Sequence, residues 1–223
     1  LRDINSHLLQ FMESHDEQRL ASRFFAGDIW KGAPAFVISA TIDKGPVMIY
    51  FGQEVGEPGA GAEGFQGDDG RTTIFDYWGV PKHQQWMNGG AFDGGQLDPE
   101  NKQLRTLYMD VLHLASTNPA FVSGDYLDLT GFNVGQNNIP ANTHVFIRVK
   151  GDDKFLVING FNSEDQDVRI QLSSEAVTML GLDPGEAYIA HDMLWKEVEV
   201  GFDKAWAFDL RMKPYICLML KIK

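Results

Sequence analysis

The run Phe11-Met12-Glu13-Ser14-His15-Asp16-Glu17-Gln18-Arg19-Leu20 decides the reading of this chain. Leu8 to Met12 is an apolar stretch short enough to be a buried strand. It then turns polar at once, with Glu13, His15, Asp16, Glu17 and Arg19 packed close together. A strand that ends in titratable groups is how parallel α/β proteins present chemistry, because functional side chains gather at the carboxyl ends of such strands. A strand that merely enters a solvated loop has the same pattern, and only the neighbouring segments separate the two.

Downstream, Asp28 has the chemistry of a helix cap. Ile29, Ala33, Phe36, Val37 and Ala40 recur at roughly helical spacing. Pro34 fits only the first turn, so the helix is expected to begin nearer Lys31. Gly45-Pro46 breaks the chain, and Val47-Met48-Ile49-Tyr50-Phe51 reads as a strand buried on both faces. Strand, helix and strand make one βαβ unit with a right-handed connection.

Both strand segments resemble signatures of the α-amylase family of glycoside hydrolases. Phe11, His15 and Asp16 match the Phe-x-x-(Asn)-His-Asp pattern that ends the seventh strand of its (β/α)8 barrel, with Ser14 where Asn is more usual. Gly45, Pro46, Gly52 and Glu54 match the eighth-strand signature. The two occur in the right order, separated by a helix of the right length.

Residues 55–98 lack clear periodicity and are rich in glycine, aspartate and aromatics. Gly56 to Gly70 loosely resembles a calcium loop through Glu57, Glu63, Asp68 and Asp69, without EF-hand spacing. Asp98-Pro99 is a strong helix start. Leu104, Leu107, Tyr108, Val111, Leu114 and Ala115 give that helix one apolar face, and Asn118-Pro119 ends it. After Ala120, β-branched and aromatic runs alternate with turns. Strands are expected near 121–129, 144–150, 154–161, 166–172, 186–192, 196–200, 205–210 and 214–222. The expected fold is α/β plus all-β: a partial TIM (β/α)8 barrel, strands seven and eight with their helices, over 1–120, then an antiparallel β-sandwich over 121–223.

The chain has 223 residues, ordinary hydrophobic and charged fractions, and a net charge of −12. That acidity argues against nucleic acid and leaves neutral ligands such as sugars open. The single cysteine, Cys217, forms no internal disulfide and reads as a buried apolar residue. No run is long enough to span a membrane, and there is no initiator Met or signal pattern. Secretion or a cell-surface location stays open.

The resemblance implies a retaining enzyme acting on starch-like α-glucans or malto-oligosaccharides. Glycosidic hydrolysis needs two carboxyl groups flanking the bond, and in the family these lie on earlier strands. Asp16 would be the third carboxylate, bonding sugar hydroxyls at the cleavage subsite and stabilising the transition state. His15 would bond a hydroxyl beside it. Asp68, Asp69 and Arg71 resemble an Asp-Arg pair used further along the sugar chain. Tyr77, Trp78 and Trp86 are candidates for stacking on pyranose faces. Arg19 is either a balancing charge or a surface charge, and Glu54 a structural residue. No cofactor is expected in this chain, and a structural calcium ion in the full protein stays open. The expected partner is the missing amino-terminal part of the barrel or another subunit, and the chain alone is expected to be inactive. The rival readings are a non-catalytic carbohydrate-binding or assembly fragment, and a transglycosylase or isomerase of the same family.

Overall fold

The computed structural model describes residues 7–61, 67–75 and 79–223. They fall into two compact units, residues 1–40 with 45–112 and residues 41–44 with 113–223.

In the first unit the two signature segments lie side by side and parallel. Gln10 pairs with Val47 in a single parallel bridge. The Gln10 amide donates to the Pro46 carbonyl at 2.8 Å, and the Met48 amide donates to the Gln10 carbonyl at 2.9 Å. The expected buried strands over 8–12 and 47–51 go no further than this bridge, and Leu8, Leu9 and Phe11 are exposed. The physical reason is that a parallel pair is stable where both faces and both edges are covered. Here the ladder has no third strand to lean on among the described residues.

Between the segments runs α1 (Ala33–Thr41), with Pro34 in its first turn. Asp28 does not cap it. Its carboxylate instead takes the Trp30 amide in a tight turn several residues upstream. A short 3-10 turn, Gln53–Val55, follows the second segment between the left-handed residues Gly52 and Gly56. The supposedly aperiodic stretch contains a helix, α2 (Pro81–Met87), with proline at its first position. The long helix α3 (Pro99–Thr117) starts where Asp98-Pro99 indicates. Its buried face carries Leu104, Leu107, Tyr108 and Val111. Tyr108 stacks flat on Phe36 at 3.7 Å. Gln53 donates to the Tyr108 hydroxyl, and Asn101 donates to the Val55 carbonyl, so α3 grips the turn after the second segment.

The second unit carries eight strands, every pairing antiparallel. They are β1 (Asp125–Asp128), β2 (Thr143–Lys150), β3 (Asp153–Gly160), β4 (Gln166–Gln171), β5 (Ile189–Asp192), β6 (Glu199–Gly201), β7 (Ala207–Met212) and β8 (Cys217–Ile222). Six form one sheet in the order β1-β2-β3-β8-β5-β6, and β4 pairs with β7 in a second. Val145, Ile147, Leu156, Ile158, Ile170, Phe208 and Leu220 belong to the core of this unit. Three short helices accompany the strands: α4 (Pro119–Val122), α5 (Thr130–Gly135) and α6 (Ser174–Leu180). Arg148 on β2 is fully buried beside α4. Its guanidinium donates to the carbonyls of Ala120, Thr41 and Phe121. Backbone oxygens thus satisfy this cation, and burial pulls its pKa down against the charges of Asp43 and Asp125.

Candidate active site

The site is built by the loop that comes after the first signature segment. Glu13 and Arg19 are almost fully buried. Arg19 Nη1 donates to Glu13 Oε2 at 2.8 Å, Nη2 to the Phe51 carbonyl at 2.8 Å, and Nε to Thr72 Oγ1 at 2.9 Å. Its guanidinium also lies over the Tyr50 ring at 4.2 Å. Glu13 Oε1 accepts the Leu20 amide at 2.7 Å, which closes the loop on itself. Burial pushes the Glu13 carboxyl up, and the Arg19 charge and hydrogen bond pull against that. Arg19 therefore ties the first segment's loop to the end of the second, and the surface-charge alternative for it falls.

That anchoring turns the residues in between toward solvent. Asp16 has a side chain 76% exposed, and His15 Nε2 lies 3.5 Å from its Oδ1. The Asp16 amide donates to Ser14 Oγ at 3.2 Å, so serine fixes the turn at the position where Asn is more usual. An ionised carboxylate beside an imidazole offers a forked acceptor and a donor, which suits the adjacent hydroxyls of a sugar ring.

The loop at 68–72 is fastened to the same place. The Arg19 amide donates to the Gly70 carbonyl at 2.7 Å, and Gln18 Nε2 donates to the Asp69 carbonyl. Gly70 sits at φ +81°, which favours glycine, and a Cβ there would meet Ser22 Oγ at 2.2 Å and push that side chain aside. Arg71 is clamped by Asp69 through Nε at 2.9 Å and Nη2 at 2.6 Å. Asp69 and Arg71 thus form the pair, and Asp68 instead bonds Arg23. The Asp69 bond holds the Arg71 guanidinium above its usual range, with smaller help from the charges of Asp16 and Glu17. Arg71 accordingly sits within electrostatic reach of Asp16. Tyr77 and Trp78 lie outside the described residues, as does Glu63. Glu57 accepts the Gly59 and Lys82 amides, so its carboxylate holds loop backbone. Trp86 packs in the first unit against Phe92, His83 and Arg105.

Sequence reasoning missed Glu13 as an anchor. The available signal was an acid one residue beyond an apolar run with an arginine six residues on, which only the fold could join. Among the described residues no helix is long and apolar enough to cross a membrane.

Two parallel segments, the first leading into a histidine-aspartate pair, and an antiparallel β unit make this a chain of the α/β plus all-β type. In sequence and in fold the chain is similar to members of the α-amylase family of glycoside hydrolases. It is 31% identical over 97 residues to alpha-amylase 3 of Dictyoglomus thermophilum, a match over 41% of this chain and 19% of that protein. In fold it is similar to the α-amylase of Geobacillus thermoleovorans complexed with acarbose, with TM-score 0.63 and 18% identity over 98% of this chain and 39% of that one. It is also similar to AmyP in complex with maltotriose, with TM-score 0.63 and 15% identity over 96% of this chain and 41% of that one. The chain thus spans about two fifths of these solved structures and a fifth of the curated relative. No family model matches it.

Proposed function

We propose that this chain is the carboxyl-terminal part of a retaining, α-glucan-active glycoside hydrolase. The observation that carries the reading is the parallel Gln10–Val47 pairing with the buried Glu13–Arg19 anchor, between which Asp16 stands exposed and within electrostatic reach of Arg71. In this reading the nucleophile and the acid/base come from earlier barrel strands. Asp16 accepts hydrogen bonds from two neighbouring hydroxyls of the ring at the cleavage point. Those bonds shorten as the ring flattens toward the oxocarbenium-like transition state, so they lower the barrier more than they tighten ground-state binding. His15 donates to a hydroxyl alongside. Arg71, immobilised by Asp69, adds a fixed cation that meets a sugar oxygen.

The test is starch and malto-oligosaccharide turnover by the full-length protein and by the 223-residue chain. The full-length enzyme is expected to lose about 10^3-fold in kcat on Asp16→Asn with KM little changed, the sign of a contact made in the transition state. The chain alone is expected to show no turnover. Full activity of the Asp16→Asn enzyme would refute the assignment.

A further inference from the structure

A pocket in the first unit is lined by Trp86, Phe92, Asp93, Leu97, Lys102 and Arg105. Phe92 is 55% exposed and held at φ +53°. Left-handed backbone is disfavoured for a bulky L residue, and such conformations concentrate where a ligand is handled. The loop is firmly tied in that shape. The Phe92 amide donates to the Met87 carbonyl and the Gly94 amide to the Trp86 carbonyl, each at 3.0 Å. Asn88 and the Gly95 amide both donate to Asp93 Oδ1 at 2.8 Å. An exposed aromatic ring is thus presented by a loop rigid enough to have hidden it.

Behind Phe92, Trp86 stands edge-on at 5.7 Å, and the Arg105 guanidinium covers the indole at 5.0 Å. Arg105 Nη1 leans on Met109 Sδ, while its buried Nε has no acceptor among the described residues. Thr106 Oγ1 donates to the Lys102 carbonyl, which leaves its lone pairs as acceptors. The ring of Trp86 continues through His83 at 5.9 Å to Phe51 at 5.5 Å. Phe51 is the residue whose carbonyl holds Arg19. The pocket wall and the His15–Asp16 loop are therefore parts of one packed row.

We propose that this pocket is a second binding site for a pyranose ring of an α-glucan chain, with Phe92 as its stacking face and Asp93, Lys102, Arg105 and Thr106 as its hydroxyl-binding rim. The choice of glucan rests on the proposed hydrolase function. The chemistry narrows the class by itself. A pyranose pairs an apolar C–H face with hydroxyls that donate and accept, which matches an aromatic wall beside two cationic donors and two oxygen acceptors. Asp93, which Asn88 and the Gly95 amide hold below the usual carboxylate range, offsets one of the two cations and competes with an anion for them. A wholly apolar ligand would strip water from Lys102 and Arg105 with no compensating bond.

The experiment is saturation-transfer-difference NMR of the 223-residue chain with maltotriose, run on the parent sequence, Phe92→Gly and Arg105→Met. Glycine tolerates the left-handed backbone, so Phe92→Gly is expected to fold and to gain a few degrees in Tm, about 2–4 °C. It is expected to weaken maltotriose binding about tenfold, and Arg105→Met to weaken it as well. Binding untouched by both pocket variants would overturn the proposal, as would no binding by the chain or displacement of maltotriose by inorganic phosphate. The hydrolase reading fails separately, through the turnover of full-length Asp16→Asn enzyme, whatever the pocket does.

Discussion

At the scale of single residues, Arg19 has the widest consequences. Its guanidinium satisfies a carboxylate, a carbonyl and a hydroxyl in one buried place. Arg19→Met would strand the Glu13 charge in the interior. Removing one partner of a buried pair costs about 3–5 kcal/mol, whereas Glu13→Gln keeps an acceptor and costs less. Urea unfolding monitored by circular dichroism is expected to rank the two variants in that order. His144 on β2 gives a pH handle. Burial holds its pKa below the ordinary histidine value, with Asp128 pulling the other way. The unfolded chain then binds the proton more readily than the folded one. The stabilising contribution is present above the unfolded value of about 6.5 and is lost as pH falls through the lower folded value. The urea midpoint is expected to drop from pH 7 to pH 5, and to drop less in His144→Gln.

At the scale of elements, local patterns told where chain segments begin and end better than how far they pair. Asp98-Pro99 marks the start of α3, and the eight expected β segments correspond to β1 through β8, because capping chemistry and alternation are local. The apolar runs at 8–12 and 47–51 have strand composition, yet strands exist only by pairing, and here one bridge is made. Helix α2 was hidden since its Pro81 sits in a glycine-rich, aromatic neighbourhood that reads as loop. Helix α6 carries plain local signals: Ser173 caps it through the Ala176 amide, and Gly181 ends it in the left-handed region. The loop at 68–72 depends on a close backbone approach. Gly70→Ala is expected to cost about 1–3 kcal/mol, from the strained φ and the clash with Ser22. It should also loosen the Arg19–Gly70 bond, seen as faster amide exchange at Arg19.

At the scale of the whole molecule, the second unit guards the one thiol. Cys217 on β8 is 2% exposed, and burial pushes its pKa up to about 12. Thiolate is the reactive form, so the native chain is expected to resist Ellman's reagent at pH 8 and to release one equivalent after guanidinium denaturation. Fast native labelling would show that β8 opens without global unfolding. In the first unit Leu8, Leu9, Phe11, Phe24, Phe25, Ile74 and Phe75 are all exposed.

The sequence by itself determined the start of α3, the succession of β segments after it, the buried cysteine and the two signatures that resemble the α-amylase family. Each of these rests on spacing along the chain or on residue chemistry, which needs no partner to be read. Tertiary structure alone decided that Arg19 is an anchor, that Asp69 and not Asp68 holds Arg71, and that Phe92 is presented beside Trp86. Arg19 reaches Phe51 and Thr72 far along the chain, and Asp68 is drawn off to Arg23, while the Asp69–Arg71 clamp and the Phe92 turn are local in sequence yet open to several partners. No periodicity encodes them, because only packing chooses which of several available charges and rings will meet.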